Sequence, residues 1–281
     1  MPDRKDLPFL LTLLEDDSYD VRTSVVEALR SFGPVLDSVV APYRRELPAE
    51  SRSILDLLCS DLRQNRYGGD WLAWIEMEES NEALEQALIQ IAVMEYGRSA
   101  YNLSDHLDEL AARFLAWTPV CDPAHLMDFL FAHMQFRPPR DSASSHLYDN
   151  LCYVLEHRQG SQVALSCIAI LTGMRAGITL HGISIQGNFM AISLEKQDMQ
   201  MYNAFNKGKP LARASVLYIE EAFRRNRIAP GDMRARVHEV VLQVLDNAIA
   251  IHQRKGRHLS AGEYTELRDR LKEELRLRGR V

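Results

Sequence analysis

Cysteine is scarce in this chain: 4 of its 281 residues. Cys59, Cys121, Cys152 and Cys167 stand far apart, with no Cys-x-x-Cys pair. That excludes a disulfide scaffold or zinc ribbon and fits a reducing cytoplasm. Long apolar runs are missing too. None approaches the roughly 18–20 residues of a membrane-spanning helix, so no span is expected. Near the start, residues 7–14 are apolar but broken by Pro8 and followed by Glu15, Asp16 and Asp17. Without a small-residue cleavage site this does not read as a signal peptide. There is no GxxxxGK, and no GxGxxG follows a strand. Gly68-Gly69 and Gly160 are isolated and make no phosphate cradle. No His, Cys, Asp or Glu cluster has metal-ligand spacing. Neither a metal nor a cofactor is expected.

What remains is ordinary globular composition, 46% hydrophobic and 26% charged, long enough to bury a sizeable core. The net charge is −6, but it is unevenly spread. Residues 211–281 carry 15 Lys and Arg against 10 Asp and Glu, whereas the rest carries 18 against 29. A basic tail can attract nucleic acid or an acidic partner. Glu and Arg alternate through residues 263–278, however, as on a solvated helical face. The acidic body also argues against general nucleic-acid binding.

Helical spacing dominates the pattern. Residues 19–32 set Val21, Val25, Leu29 and Phe32 on one stripe, and Gly33-Pro34 is placed to stop that helix. Residues 35–43 and 50–62 read as the next helix pair. Gly68-Gly69 marks a turn, and 71–79 a short amphipathic helix. Residues 81–96 are strongly periodic through Leu84, Ala87, Leu88, Ile91 and Ala92. A helix over 103–117 follows, with Ser104 as N-cap and Asp105 in the first turn. Then come a helix over 125–134 and a loop from Pro138 to Ser142. Residues 148–157 read as a helix ended near Gly160. Residues 162–174 are apolar on most sides and rich in small residues, the mark of a buried helix, ended by Gly177. Residues 179–185 and 189–194 alternate like strands across Gln186-Gly187-Asn188, and 199–202 fit a third strand. Helices return at 215–226 and 234–252. After a break at Gly256, a last helix capped by Ser260 runs to Leu277. Trp71, Trp74, Trp117 and Tyr101 read as packing residues. The fold class is α+β, mostly helical.

Two resemblances attach to these segments. The acidic break Glu15-Asp16-Asp17 and a helix opening on Asp20-Val21-Arg22 resemble a HEAT-type repeat. Such units bury their faces in stacks of about three, so two weak ones read as a cap. The second likeness lies in Leu155-Glu156-His157-Arg158-Gln159-Gly160, the buried helix, and Gly177-Ile178. It continues through His181-Gly182-Ile183-Ser184-Ile185-Gln186-Gly187-Asn188-Phe189 and Tyr202-Asn203-Ala204-Phe205-Asn206-Lys207-Gly208. In order and spacing these resemble the bacterial SirB-type transglutaminase-like family, over Glu82 to Leu277. The last helices resemble a tetratricopeptide-type hairpin. The resemblance implies HEAT-like helices over 1–66 and the family's helical region over 67–140. A transglutaminase/papain-like core over 141–210 and a helical hairpin over 211–281 follow.

Transglutaminase-type folds use a Cys–His–Asp arrangement. A Cys thiol at a helix N-terminus, where the dipole lowers its pKa, gives its proton to a His oriented by a carboxylate and becomes the nucleophilic thiolate. The resemblance places these roles on Gln162, Asn188 and Asn203. Glutamine has no comparable nucleophile, and an amide takes no proton near neutral pH. The resemblance thus implies a degenerate, non-catalytic member, a pseudoenzyme. Its vestigial cleft, lined by Gln162, Asn188, Phe189, Tyr202 and Asn203, would bind a protein or peptide. The alternative is a cysteine-dependent amidase, peptidase or acyltransferase with a relocated triad, pairing Cys167 or Cys152 with His157 or His181. Cys167 lies well inside the apolar helix, where a thiol is inert. His157 at a helix C-terminus suits the dipole. Ser161 and Ser166 show no base partner in the sequence. A third reading has the basic C-terminal helices binding an acidic partner or nucleic acid.

Overall fold

The computed structural model describes residues 4–16, 18–32, 36–44, 47–66, 71–139, 145–185, 187–194 and 199–280. The turns expected at Gly33-Pro34 and Gly68-Gly69, residues 140–142 of the expected loop, and Gln186 lie outside them. The chain forms two compact units, Met1–Trp71 and Leu72–Val281. Among the described residues no helix is long and apolar enough to cross a membrane.

Helices α1 (Leu7–Thr12), α2 (Tyr19–Arg30), α3 (Leu36–Val40) and α4 (Ala49–Arg66) build the first unit. The acidic break has a local purpose. Asp16 accepts from the Ser18 N–H at 2.8 Å, and the Ser18 hydroxyl accepts from the Val21 N–H at 3.5 Å. That cap satisfies an N–H which the first turn of α2 leaves open. The expected stripe buries: Val25, Leu29 and Phe32 share one core with Leu7, Leu11, Leu36 and Leu55, and Val21 is half-buried beside it.

The second unit is mostly helical. It contains α5 (Asn81–Tyr96), α6 (Leu103–Trp117), α7 (Pro123–Asp128), α8 (Leu151–His157) and α9 (Gln162–Arg175). After the sheet come α10 (Arg213–Arg225), α11 (Val237–Arg254) and α12 (His258–Leu277). Helix α9 is the axis, with every residue from 163 to 173 buried. Its small residues permit that: a Cβ at Gly173 would lie 3.1 Å from the Ile178 carbonyl. At its far end the Arg175 guanidinium forks onto Glu85 of α5 at 2.8 and 2.9 Å and also meets Asp108 of α6. Glu85 accepts from the Ser104 hydroxyl at 2.5 Å as well. So Ser104 is not the expected N-cap: α6 has the expected bounds, Leu103–Trp117, which puts Asn102 at the cap position and Ser104 inside the first turn.

Other boundaries move for local reasons. Of residues 71–79 only Ala73–Glu76 wind, as a 3-10 turn. Helix α7 starts early because Asp122 caps it, accepting from the His125 N–H at 2.9 Å, with Pro123 in the first position. Phe129–His133 then widen into a π-helical turn. A 3-10 turn, His146–Asp149, precedes α8, which Asn150 caps by accepting from the Cys152 N–H at 3.0 Å. Helix α11 starts at Val237, because the Ala235 N–H is held by the Gly182 carbonyl at 2.8 Å. Helix α12 begins at His258, ahead of the Ser260 cap expected from sequence. Trp71 and Trp74 are buried, as packing residues should be; Trp117 is partly exposed but packs on the Phe129 and His133 rings, each at 5.6 Å, whereas Tyr101 is exposed.

Four strands form an antiparallel meander in sequence order: β1 (His181–Ile185), β2 (Asn188–Ser193), β3 (Gln200–Asn203) and β4 (Lys209–Pro210). The two-residue β4 is too short to leave an alternating pattern and was not expected. Gly187, at φ +78°, makes the tight turn between β1 and β2. Alternation gives the sheet two faces. Ile183, Met190, Ile192 and Met201 share one face and pack with Val216, Ile219 and Phe223 of α10. Phe189, Ala191 and Tyr202 lie on the other, against α9.

Candidate functional site

The N-terminus of α9 is where this arrangement would hold a nucleophile, so the site is built outward from it. Ser161 caps the helix, its hydroxyl accepting from the Ala164 N–H at 3.1 Å. The same hydroxyl donates to Asp149, the last residue of the 3-10 turn before α8. The Ser161 N–H reaches the Tyr148 carbonyl at 2.7 Å. Asp149 also accepts from Asn247 of α11 at 3.4 Å. One layer further, the His146 and His252 rings lie 4.2 Å apart, and His252 stacks on Tyr264 of α12 at 5.4 Å. Only 5% of Asp149 is exposed. Burial pushes its carboxyl up to about 6, against the opposing pull of the Ser161 and Asn247 hydrogen bonds and of His146. Nothing in the sequence pattern marks this cluster. Asn247 is 98 residues from Asp149, and no periodic signal links them.

No thiol reaches that helix end. Its first turn reads Ser161-Gln162-Val163-Ala164. Cys167 is fully buried in mid-helix, and burial, then the nearby Asp149 charge, push its thiol far up. Cys152 is buried in α8, and burial pushes it up to about 11. Cys59 is buried in the first unit, and Cys121 is exposed. His157 stacks on Tyr153 at 4.1 Å, with Nδ1 3.1 Å from the Tyr153 carbonyl. His181 is held below the ordinary histidine range by burial and then by Arg234.

The five residues read as a cleft divide between two sides of the sheet. Gln162 is half-buried in the first position of α9. Phe189 and Tyr202 are buried on the α9 face, and the Tyr202 hydroxyl donates to Gln200 at 2.5 Å. Asn188 is exposed and pairs with Ile185, which sets it in register with Met190 and Ile192 on the α10 face. Asn203, at the end of β3, accepts from the Phe205 N–H at 2.9 Å. Phe189 also lines a cavity of about 320 Å³ with His181, Gly182, Glu82 and Arg234. The described residues contain no group of three or more His, Cys, Asp or Glu that could hold a metal ion.

Comparison with known proteins fits this geometry. The family model of the transglutaminase-like superfamily matches residues 101–251, which include α6 to α9, the sheet and α10. A HEAT repeat model matches residues 7–36. No curated protein and no solved structure matches the chain. With more than half its length matched, this chain belongs to the transglutaminase-like superfamily and carries a HEAT repeat ahead of that domain.

Proposed function

We propose that this chain is a non-catalytic member of the superfamily, of the SirB type, that binds a protein or peptide. The observation that carries the reading is the first turn of α9, Ser161-Gln162-Val163-Ala164, where the chemistry requires a thiolate. The second unit's two buried thiols offer no substitute, since desolvation holds both protonated at neutral pH. Ser161 is committed as a helix cap and as a donor to Asp149. The HEAT repeat supports an interaction role. That all four cysteines are free supports a reducing, cytoplasmic setting. Within this reading Gln162, Asn188 and Asn203 are the proposed contact residues of the cleft, while Phe189 and Tyr202 lie buried on the α9 side of the sheet. The basic-tail alternative gains little. Arg268 pairs with Asp246 and Asp269, Arg276 with Glu273, and Arg278 with Glu274 and Glu76, as on a solvated face.

The test is an acyl-transfer assay with a blocked Gln-Gly dipeptide and hydroxylamine. No hydroxamate above the blank is expected. Turnover that disappears in Cys152→Ser or Cys167→Ser would establish the relocated-triad enzyme instead. The binding half is read by affinity capture with wild type beside Gln162→Trp/Asn188→Trp. Recovery of the same partner from both would remove the old cleft from the reading.

A further inference from the structure

Away from the end of α9, a cavity of about 460 Å³ opens between α6 and the C-terminal end of α8. Its volume lies in the ~300–1,000 Å³ range of ligand pockets. The floor is apolar, made by Leu110, Met134, Phe136 and Leu155. The rim carries charges of both signs: Glu109 and Arg113 from α6, Glu156 and Arg158 from α8 and its cap. Among the described residues no side-chain hydrogen bond or ion pair engages Arg113, Arg158 or Glu109, unlike Arg175 on its two carboxylates.

The wall is built at a conformational cost. Arg158 ends α8 in the left-handed region at φ +57°, a position where helices usually carry glycine. Gln135, between Met134 and Phe136, is left-handed as well, at φ +61°. The two segments are tied together: the Arg137 N–H donates to the Arg158 carbonyl at 3.0 Å, and the Gly160 N–H to the Arg137 carbonyl at 3.2 Å. The π-helical turn Phe129–His133 leads directly into this wall. Strained backbone and π-turns persist where surrounding structure enforces them, and they cluster at functional sites. An arginine in a glycine's place keeps a guanidinium on the rim that glycine would not supply.

We infer that this cavity binds a short peptide with free termini and an apolar side chain. Its carboxylate would meet Arg113 and Arg158, its ammonium Glu109 and Glu156, and its side chain the Leu110–Phe136 floor. Balanced rim charge favours a zwitterion over a nucleic acid or a free phosphate. The inference rests on the peptide-binding reading above and gives it a site separate from the α9 end.

Calorimetric titration of the full chain with the tripeptide Ala-Leu-Ala tests it. Wild type should bind. Amidating the peptide's carboxyl end should weaken binding about tenfold, as loss of a charge-assisted contact does. Arg113→Ala should weaken it equally, and so should Arg158→Gly. Arg158→Gly is the discriminating variant: glycine suits a left-handed cap, so its melting temperature should be unchanged or higher while affinity falls. A purely structural Arg158 would not give that combination. No binding by wild type at millimolar peptide, or both variants binding like wild type, overturns the inference. Neither result touches the non-catalytic reading, which fails only through turnover in the acyl-transfer assay.

Discussion

At the scale of single residues, Asp149 links the end of α9 to pH. Its carboxyl titrates at about 6 in the fold, against an ordinary value of 3.8, because burial disfavours the charge. Between these values the native state keeps a proton that the unfolded chain has lost. Stability from this group is therefore fully present below pH 3.8 and is lost as pH rises through 6. The shift corresponds to roughly 3 kcal/mol at 1.36 kcal/mol per unit. Asp149→Asn has no charge to desolvate. The wild type's stability relative to this variant should therefore fall by about that amount from pH 4 to 7.5, read from urea unfolding midpoints at several pH values. A constant difference across that range would contradict the assignment. Thiol chemistry offers a second check at this scale. Cys121 is exposed, while Cys59, Cys152 and Cys167 are buried. Iodoacetamide on the native protein at pH 7.5 should alkylate Cys121 alone within minutes, with the other three reacting only in denaturant. Peptide mass mapping reads the outcome.

At the scale of elements, the packing of β1 on β2 depends on one missing side chain. A Cβ at Gly182 would lie 2.3 Å from the Phe189 ring. Gly182→Ala should destabilise the second unit by about 1–3 kcal/mol through overpacking, and Phe189→Leu in the same chain should recover part of that loss. Denaturant melts of the two singles and the double give the coupling. An additive double would show that the ring had already moved aside. The same elements show what could be read from sequence. Helix α9 was legible because full burial leaves a continuous run of apolar and small residues. Strands β1 and β2 were legible through alternation, although Asn188, expected in the turn, opens β2 and so falls on the opposite face from Phe189. The start of α8 was not legible: the 3-10 turn at His146–Asp149 carries no periodic stripe, and α8 starts only after Asn150, whose side chain accepts from the Cys152 N–H. The cluster of Asp149, Ser161 and Asn247 joins three elements through hydrogen bonds, which leave no trace in hydrophobic spacing. The Glu85–Arg175 pair was hidden for the same reason.

At the scale of the molecule, the chain's two compact units should behave as two folding units. Among the described residues the first unit's core draws on residues 7 to 59, and the superfamily domain lies wholly within the second. A unit of about 70 residues buries a smaller fraction of its surface than one of about 200, so the first should melt at the lower temperature. Leu29, fully buried in the first core, is the lever. Leu29→Ala should cost about 2–5 kcal/mol. For so small a unit that lowers its midpoint by roughly 10 °C or more. The second transition should stay where it is in wild type. A fragment of residues 72–281 should unfold at that same second midpoint and bind Ala-Leu-Ala as the full chain does, because every residue lining the peptide cavity lies within it. Scanning calorimetry of the full chain, the variant and the fragment decides the matter. A single transition that Leu29→Ala shifts as a whole would mean that the HEAT repeat and the transglutaminase-like domain fold as one cooperative body.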